Sequence, residues 1–153
     1  MFMFTSMNTT ASALTAQRLR MDVISSNMAN VDTTRATFEN GEWQPYRRKS
    51  VVLQPKDAEF SSFLHTAMNR ADRGGTGNGV TVSAIEEDAN TPPKLVYDPL
   101  HPDASDDGYV ELPNVDPLRE MVDLMSATRS YEANVTVFNA NKSMMMKALQ
   151  IGK

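Results

Sequence analysis

Hydrophobic residues near the C-terminus recur at spacings of three and four, which is the period of one face of an α-helix. The stretch from Leu118 to Ile151 contains neither glycine nor proline. Asp116 is a suitable N-cap, and Pro117 suits the first helical position, where its missing N–H costs nothing. One amphipathic helix, roughly 50 Å long, is therefore predicted from Pro117 to a stop near Gly152. Its apolar stripe comprises Met121, Leu124, Tyr131, Val135, Phe138, Met145 and Leu149, with Thr128 and Lys142 as polar members.

A second helical pattern occupies the N-terminal end, where residues 1–40 also contain neither glycine nor proline. Thr5 or Ser6 can accept a hydrogen bond from the free amides of a first turn, so the helix is predicted to begin there. Asparagine tolerates the left-handed conformation found at helix ends, which predicts a stop near Asn27 to Asn30. A heptad step runs through Met7, Ala11, Leu14, Met21 and Met28, with Arg18 and Ser25 as polar members and Leu19, Val23 and Ile24 beside it.

The middle of the chain has a different pattern, with short apolar runs between turns. All eight prolines lie from Pro45 to Pro117, and six of the seven glycines lie from Gly41 to Gly108. Such breakers exclude long helices and favour short strands. Strands are predicted at 51–53, 80–84, 95–97 and 108–112.

These elements predict a mainly α fold with a small β-rich module. The long terminal helices are expected to pair as an α-helical hairpin or coiled coil around the central β-rich insertion. The chain is therefore predicted to have three segments. These are an N-terminal helix (1–31), a β-rich central module with long loops (32–116) and a C-terminal helix (117–153). Because the second helix is longer than a small domain is wide, part of it must find a partner outside the module.

Charge and composition exclude several classes of function. The formal net charge is −4, and residues 32–116 alone carry fifteen acids against eight bases. That distribution lacks the basic surface of a nucleic-acid-binding protein. No cysteine is present, which removes disulfides and thiolate chemistry. No apolar run is long enough to span a membrane, and a cleaved secretory signal is not expected.

No constellation of residues predicts catalysis, a metal or a cofactor. The segment Gly74 to Gly79 lacks the lysine of a phosphate-binding loop. The stretch from Asp103 to Gly108 begins like a calcium loop, but Asn114 stands where a bidentate glutamate is required. His65 and His101 are the only histidines, and a turn hydrogen bond is the expected role of His101. The sequence therefore predicts a protein that is not an enzyme and has no small-molecule substrate.

The N-terminal helix carries a short pattern of the form S-x-N-x-A-N-x-x-T. This pattern resembles the signature of the bacterial flagellar rod and hook family, and the similarity continues over nearly the whole chain, most narrowly to its proximal rod members. The signature positions are Ser25, Asn27, Ala29, Asn30 and Thr33. Further similar segments are 18–22, 45–49, 96–104, 108–110, 113–116, 120–124, 131–135 and 147–152, whereas 38–44 is poorly matched.

The resemblance implies a structural subunit of the proximal rod of the flagellar basal body, polymerising through its terminal helices into the drive shaft that transmits torque. The implied partners are copies of itself, other flagellar rod proteins, the basal-body base and the flagellar type III export apparatus, which exports the chain uncleaved. Phe60 and Leu64 match the form of an export-gate motif, although packing explains them equally well. The expected subunit interface comprises Leu14, Met21, Ile24, Met28, Met121, Leu124, Tyr131, Val135, Phe138, Met145 and Leu149.

Two other classes of function share some of these features. A coiled-coil adaptor or secreted effector of a type III export system would have the same helices but bind a single partner. An envelope enzyme that cleaves peptidoglycan would need carboxylates such as Glu86 or Glu87. A charge run of this kind is more often a solvated face, so the structural role is preferred.

Overall fold

A computed structural model describes residues 2–39, 41–56 and 79–151, which form two helices and six strands. The predicted class is confirmed, since the chain has a helix at each end and small antiparallel sheets formed by the residues between them. In chain order the elements are α1 (Phe2–Ala29), β1 (Thr37–Glu39), β2 (Glu42–Gln44), β3 (Lys49–Pro55), β4 (Val80–Glu87), β5 (Lys94–Tyr97), β6 (Tyr109–Leu112) and α2 (Pro117–Ile151).

The N-terminal helix starts earlier than predicted. α1 begins at Phe2, so the predicted start at Thr5 or Ser6 is wrong. The carbonyl of Thr5 instead accepts a hydrogen bond from the hydroxyl of Thr9 at 2.9 Å, inside the helix. The predicted end is confirmed, because the last helical residue is Ala29.

The C-terminal helix begins as its capping residues predict. Asp116 Oδ1 accepts a hydrogen bond from the backbone N–H of Leu118 at 3.0 Å, and the Asp116 carbonyl accepts one from Glu120 N–H at 3.0 Å. α2 then runs for 35 residues from Pro117 to Ile151. Cap and proline together fix its start.

The strands form three separate two-stranded sheets. β5 and β6 are antiparallel, with Val96 opposite Val110. β3 and β4 are also antiparallel, since hydrogen bonds join Lys56 to Gly79 beyond one end and Arg48 to Asp88 beyond the other. The four predicted strand regions are therefore confirmed.

Sequence patterns did not predict the hairpin of β1 and β2. Phe38 lies opposite Trp43, with their ring centroids 5.2 Å apart, and Gly41 turns the chain with a φ of 91°. Each strand has only three residues and both are largely exposed, so neither shows the alternation of a half-buried strand.

The described residues belong to two compact units. Unit 1 comprises 1–20, 51–84 and 126–153, and unit 2 comprises 21–50 and 85–125, apart from the residues outside the described ranges. Each unit contains part of both helices and part of the middle. The three-segment division made from sequence therefore stays a prediction about organisation along the chain. Neither described helix combines the length and apolarity that a membrane span requires.

In unit 1, α1 contacts both α2 and the start of β4. Asn141 Nδ2 donates to Ser6 Oγ at 3.0 Å, which joins the two helices through polar side chains. Ser12 Oγ donates to the carbonyl of Thr9 at 2.7 Å and accepts from Val80 N–H at 3.1 Å. A serine hydroxyl of α1 therefore positions Val80, the first residue of β4.

Gly79 is required where β4 approaches α1. Its φ of 105° is unfavourable for other residues, and an added Cβ would overlap Ser12 Oγ. We expect Gly79→Ala to lower the free energy of unfolding by about 2–4 kcal/mol, measured by urea unfolding. Gly41→Ala is the matched control, because Gly41 also has a positive φ but, its two chain neighbours aside, no described residue lies within 4 Å of its added Cβ. Equal losses in the two variants would contradict the predicted clash.

Candidate functional site

Asn27 is fully buried in unit 2 and makes every hydrogen bond that its side-chain amide allows. Its Nδ2 donates to the Lys49 carbonyl at 2.9 Å and to Glu120 Oε2 at 3.1 Å. Its Oδ1 accepts from the Tyr46 hydroxyl at 3.0 Å and from Lys49 N–H at 2.9 Å. One side chain of α1 thus joins the start of β3, the segment before it and α2.

The second buried polar residue is Glu120, on the first turn of α2. Its side chain has 0% exposure, and its Oε1 accepts from Arg48 Nε at 2.6 Å. Arg48 also reaches Asp123 Oδ2 at 3.4 Å. A buried carboxylate costs free energy unless it is paired and hydrogen-bonded, and here Arg48 and Asn27 satisfy both conditions. We call Asn27, Tyr46, Arg48, Lys49 and Glu120 the Asn27 cluster.

A hydrogen-bond chain extends the Asn27 cluster to the acidic turn after β4. Arg48 N–H donates to Asn114 Oδ1 at 2.8 Å, and Asn114 Nδ2 donates to the carbonyls of Asp88 and Thr91 at 3.1 and 3.2 Å. The Thr91 hydroxyl, and next its backbone N–H, lower the pKa of Asp88 by hydrogen bonding to the carboxylate. These contacts hold the segments around β3, β4 and α2 together.

The positions of the family signature have distinct structural roles. Asn27 belongs to the Asn27 cluster. Asn30 ends α1, where its Nδ2 donates to the Ser26 carbonyl at 2.8 Å and its Oδ1 accepts from the Thr33 hydroxyl at 3.2 Å. The Thr33 carbonyl then accepts from Tyr46 N–H at 3.1 Å. The side chains of Ser25 and Ala29 are exposed, and no contact within the described residues explains them.

A second polar contact joins the exit of α1 to the turn before β6. Asp103 accepts hydrogen bonds from Arg35, whose Nε lies 2.6 Å away, and from the Thr34 hydroxyl at 2.7 Å. The Arg35 guanidinium, and after it the Thr34 hydroxyl, lower the pKa of Asp103. His101 Nδ1 accepts from Asp103 N–H at 3.1 Å, so the predicted turn hydrogen bond of His101 is confirmed.

The residues predicted to form the subunit interface differ in exposure. Ile24 is buried within unit 2, so its place in an interface has no support from this structure. Only Met121 and Leu149 are strongly exposed. The other members, which are half-buried, are Leu14, Met21, Met28, Leu124, Tyr131, Val135, Phe138 and Met145. The predicted stripe thus borders the side of α2 that packs within the chain.

The structure shows a second apolar stripe on α2 that sequence analysis overlooked. Val137 lies roughly 160° around the helix from Val135, on the opposite side. Ten positions at steps of three and four are all exposed, and nine of them are apolar. This exposed stripe comprises Leu118, Val122, Met125, Arg129, Ala133, Val137, Ala140, Met144, Ala148 and Ile151. The same spacing rule could have identified it.

The remaining candidate sites are the two acids of β4 and segments that lie partly outside the described residues. Among the described residues, His, Asp and Glu do not form a group of three that could hold a metal ion. Glu86 is exposed on β4, and exposed Glu87 lies 3.4 Å from Lys49 Nζ. Phe60, Leu64, His65 and the segment 74–78 lie outside the described residues, so the proposed export-gate motif and most of the glycine-rich segment stay predictions.

Both ends of the chain match families of one class. Residues 7–37 match the family described as flagella basal body rod protein. Residues 106–151 match the family described as flagellar basal body rod FlgEFG protein, C-terminal. The class defined by these matches, and by two terminal helices around a small β-rich part, is that of the flagellar basal-body rod proteins.

Relatives that align over nearly the whole chain identify one family within this class. The flagellar basal-body rod protein FlgC of Bacillus subtilis (strain 168) is 64% identical over 150 residues, covering 98% of each chain. FlgC of Borreliella burgdorferi is 47% identical, covering 99% of this chain and 98% of its own. FlgC of Salmonella typhimurium (strain LT2) is 45% identical, covering 93% and 92%. The chain belongs to the FlgC family of flagellar basal-body rod proteins, which confirms the predicted resemblance.

Proposed function

We propose that the chain is a structural subunit of the proximal rod that polymerises through its terminal helices into a torque-transmitting shaft. The exposed stripe of α2 carries this proposal. Nine exposed apolar positions along one helix form a surface that favours burial against a partner. A head-to-tail contact that does not close on itself generates a helical assembly.

The Asn27 cluster suits a subunit that must transmit torque. It joins α1, the start of β3 and α2 through buried hydrogen bonds and one buried ion pair. Packed interiors of this kind have low compressibility and transmit strain. Within unit 2, a force applied to α1 or α2 would therefore reach the start of β3 without large internal rearrangement.

The proposed partners are copies of the chain, other flagellar rod proteins and the base of the basal body. We propose that the type III export apparatus delivers the chain without cleavage to the basal body. No catalytic activity and no cofactor is part of the proposal. Glu86 and Glu87, which an envelope enzyme would use, are exposed, and Glu87 pairs with Lys49. A secreted single-partner adaptor is less consistent with a family of rod proteins.

Val137→Asp tests the polymerisation surface. Val137 is 49% exposed, so we expect the variant to fold with a free energy of unfolding within about 0.5 kcal/mol of the parent. Rod growth and swimming should nevertheless be lost, because a buried unpaired carboxylate opposes the subunit contact. The measurements are urea unfolding, soft-agar motility and electron microscopy of isolated basal bodies.

Two matched variants complete this test. Asn139→Asp places the same charge at a neighbouring exposed position outside the exposed stripe, and it should swim normally. Val135→Asp places the charge on the originally predicted stripe, and there we expect a loss of folding stability as well. Normal swimming of Val137→Asp would overturn the proposed role of the exposed stripe.

A further inference from the structure

An exposed groove in unit 2 has two aromatic side chains that the Asn27 cluster does not use. Trp43 and Tyr109 line this groove, which has a volume of about 510 Å³, and they are 54% and 47% exposed. Each ring contacts a second aromatic ring, since Trp43 lies 5.2 Å from Phe38 and Tyr109 lies 5.3 Å from Tyr97 between centroids. These contacts orient both rings before any partner binds. We call this feature the Trp43 groove.

The Trp43 groove has an excess of negative charge. Among the described residues that line it, Glu42, Asp103 and Glu111 are acids and Arg35 is the one base. Asp103 binds Arg35, whereas Glu42 and Glu111 form no ion pair with any part of the chain that the structure describes. Glu42 also lies directly opposite Glu39 in the hairpin, an unfavourable pairing of like charges. The groove therefore favours a cation that can contact both an aromatic face and a carboxylate.

A complementary surface lies on the first turns of α2, also in unit 2. Leu118 and Val122 are 75% and 60% exposed, and they are the first two members of the exposed stripe. Arg119 lies beside them and is exposed. Its guanidinium has no hydrogen-bond or ion-pair partner among the described residues, whereas Arg48 and Arg129 each bind carboxylates. We call Leu118, Arg119 and Val122 the Arg119 patch.

We propose that the Trp43 groove binds the Arg119 patch of a second copy of this chain. Arginine favours this site because its planar guanidinium stacks on aromatic faces while it donates to carboxylates. Leu118 and Val122 would add apolar contact beside the rings. Groove and patch are different surfaces, so the contact is heterologous and repeats from copy to copy.

Charge and continuity favour a second copy over other occupants. Two carboxylates of the groove and the arginine of the patch have no ion-pair partner within the described part of the chain. The patch also continues into the exposed stripe, so one neighbouring copy could bury both surfaces. This inference rests on the proposed function, because it specifies where one rod subunit meets the next.

Cross-linking in assembled basal bodies tests this contact. The chain contains no cysteine, so Ser105→Cys in the groove and Leu118→Cys in the patch can be placed in two differently tagged copies that are expressed together, which leaves Glu111 and Arg119 in place. A short bismaleimide should then link the two tags. The matched control replaces Ser105→Cys by Glu86→Cys, since Glu86 is exposed but lies outside the groove. We expect the yield of linked dimer to exceed that of the control by about tenfold, which corresponds to a free-energy difference of about 1.4 kcal/mol between the two contacts.

Charge reversal provides a second measurement. Arg119→Glu and Glu111→Arg should each reduce soft-agar swimming, and the double variant should restore it. Arg47→Glu is the control, because Arg47 is exposed and belongs to neither the groove, the patch nor the exposed stripe. A linked dimer together with rescue supports the proposal. Absence of either, including a cross-link to a different rod protein, overturns it.

The outcome for Val137→Asp separates this inference from the proposed function. If that variant loses rod growth while the groove variants show neither cross-link nor rescue, polymerisation through the exposed stripe stands and the groove contact is wrong. If Val137→Asp swims normally, the exposed stripe fails independently of the groove.

Discussion

Replacing Asn27 by alanine is expected to lower the free energy of unfolding by about 3–5 kcal/mol. The substitution removes four hydrogen bonds at a position with no exposure. It also leaves the Tyr46 hydroxyl, both backbone groups of Lys49 and one oxygen of Glu120 without this partner. Unsatisfied buried groups cost more than an average hydrogen bond contributes. Urea unfolding of the purified chain, followed by circular dichroism, measures the change.

Asn139→Ala is the matched control for this experiment. Asn139 is exposed on α2, so its substitution should change the free energy of unfolding by less than about 0.5 kcal/mol. Asn27→Asp adds a second comparison, because it keeps the shape but places a carboxylate beside that of Glu120. We expect it to be at least as destabilising as alanine. A loss below about 1 kcal/mol for Asn27→Ala would show that water or rearrangement replaces the missing amide.

The two helices were largely predictable because their signals are local. The Asp116 and Pro117 pair fixed the start of α2, and the asparagines near residue 30 fixed the end of α1. The start of α1 was misplaced since Thr5 and Ser6 resemble caps in sequence. In the structure their carbonyls accept from the hydroxyls of Thr9 and Thr10 inside the helix. Threonine, which often caps helices, can therefore also lie inside a helix and donate its hydroxyl to the carbonyl four residues earlier.

The Asn27 cluster was not predictable from spacing, because its members lie far apart in the chain. Asn27 and Glu120 are separated by 93 positions, and Arg48 and Glu120 by 72. Resemblance identified Asn27 as a signature position but gave no partner for it. Sequence alone would place Glu120 at the surface, since an acid in the first turn of a helix usually interacts with exposed amides. Its complete burial results from tertiary packing.

The choice between the two stripes of α2 also needed the structure. Both follow steps of three and four, and periodicity alone does not say which one packs within the chain. The stripe with the larger side chains, including Tyr131 and Phe138, was selected from sequence as the interface. The structure places those two residues half-buried and leaves Val137 and Met144 more exposed. Helices with two apolar sides are expected in subunits that have both an internal and an external partner.

Arg48→Met is expected to destabilise the chain by about 3–5 kcal/mol, the second large effect. The Glu120 carboxylate has 0% exposure, and Arg48 Nε, 2.6 Å away, is its cationic partner. Removing the guanidinium leaves a buried charge that Asn27 alone cannot compensate. Arg47→Met is a strict control, because the adjacent arginine is exposed and its loss should cost less than about 0.5 kcal/mol. Urea unfolding of both variants at neutral pH gives the comparison.

A double variant separates the cost of the unpaired charge from that of lost packing. Glu120→Gln removes the charge but keeps an oxygen that can accept from Asn27 Nδ2. Because the buried carboxylate is then absent, Arg48→Met with Glu120→Gln should be more stable than Arg48→Met alone by about 1–3 kcal/mol. The alternative result is that the stability loss of the double variant equals the sum of the losses of Arg48→Met and Glu120→Gln. That result would mean that Arg48 stabilises unit 2 through its packing and its contact with Asp123. In that case the ion pair with Glu120 would not be what holds α2 against the start of β3.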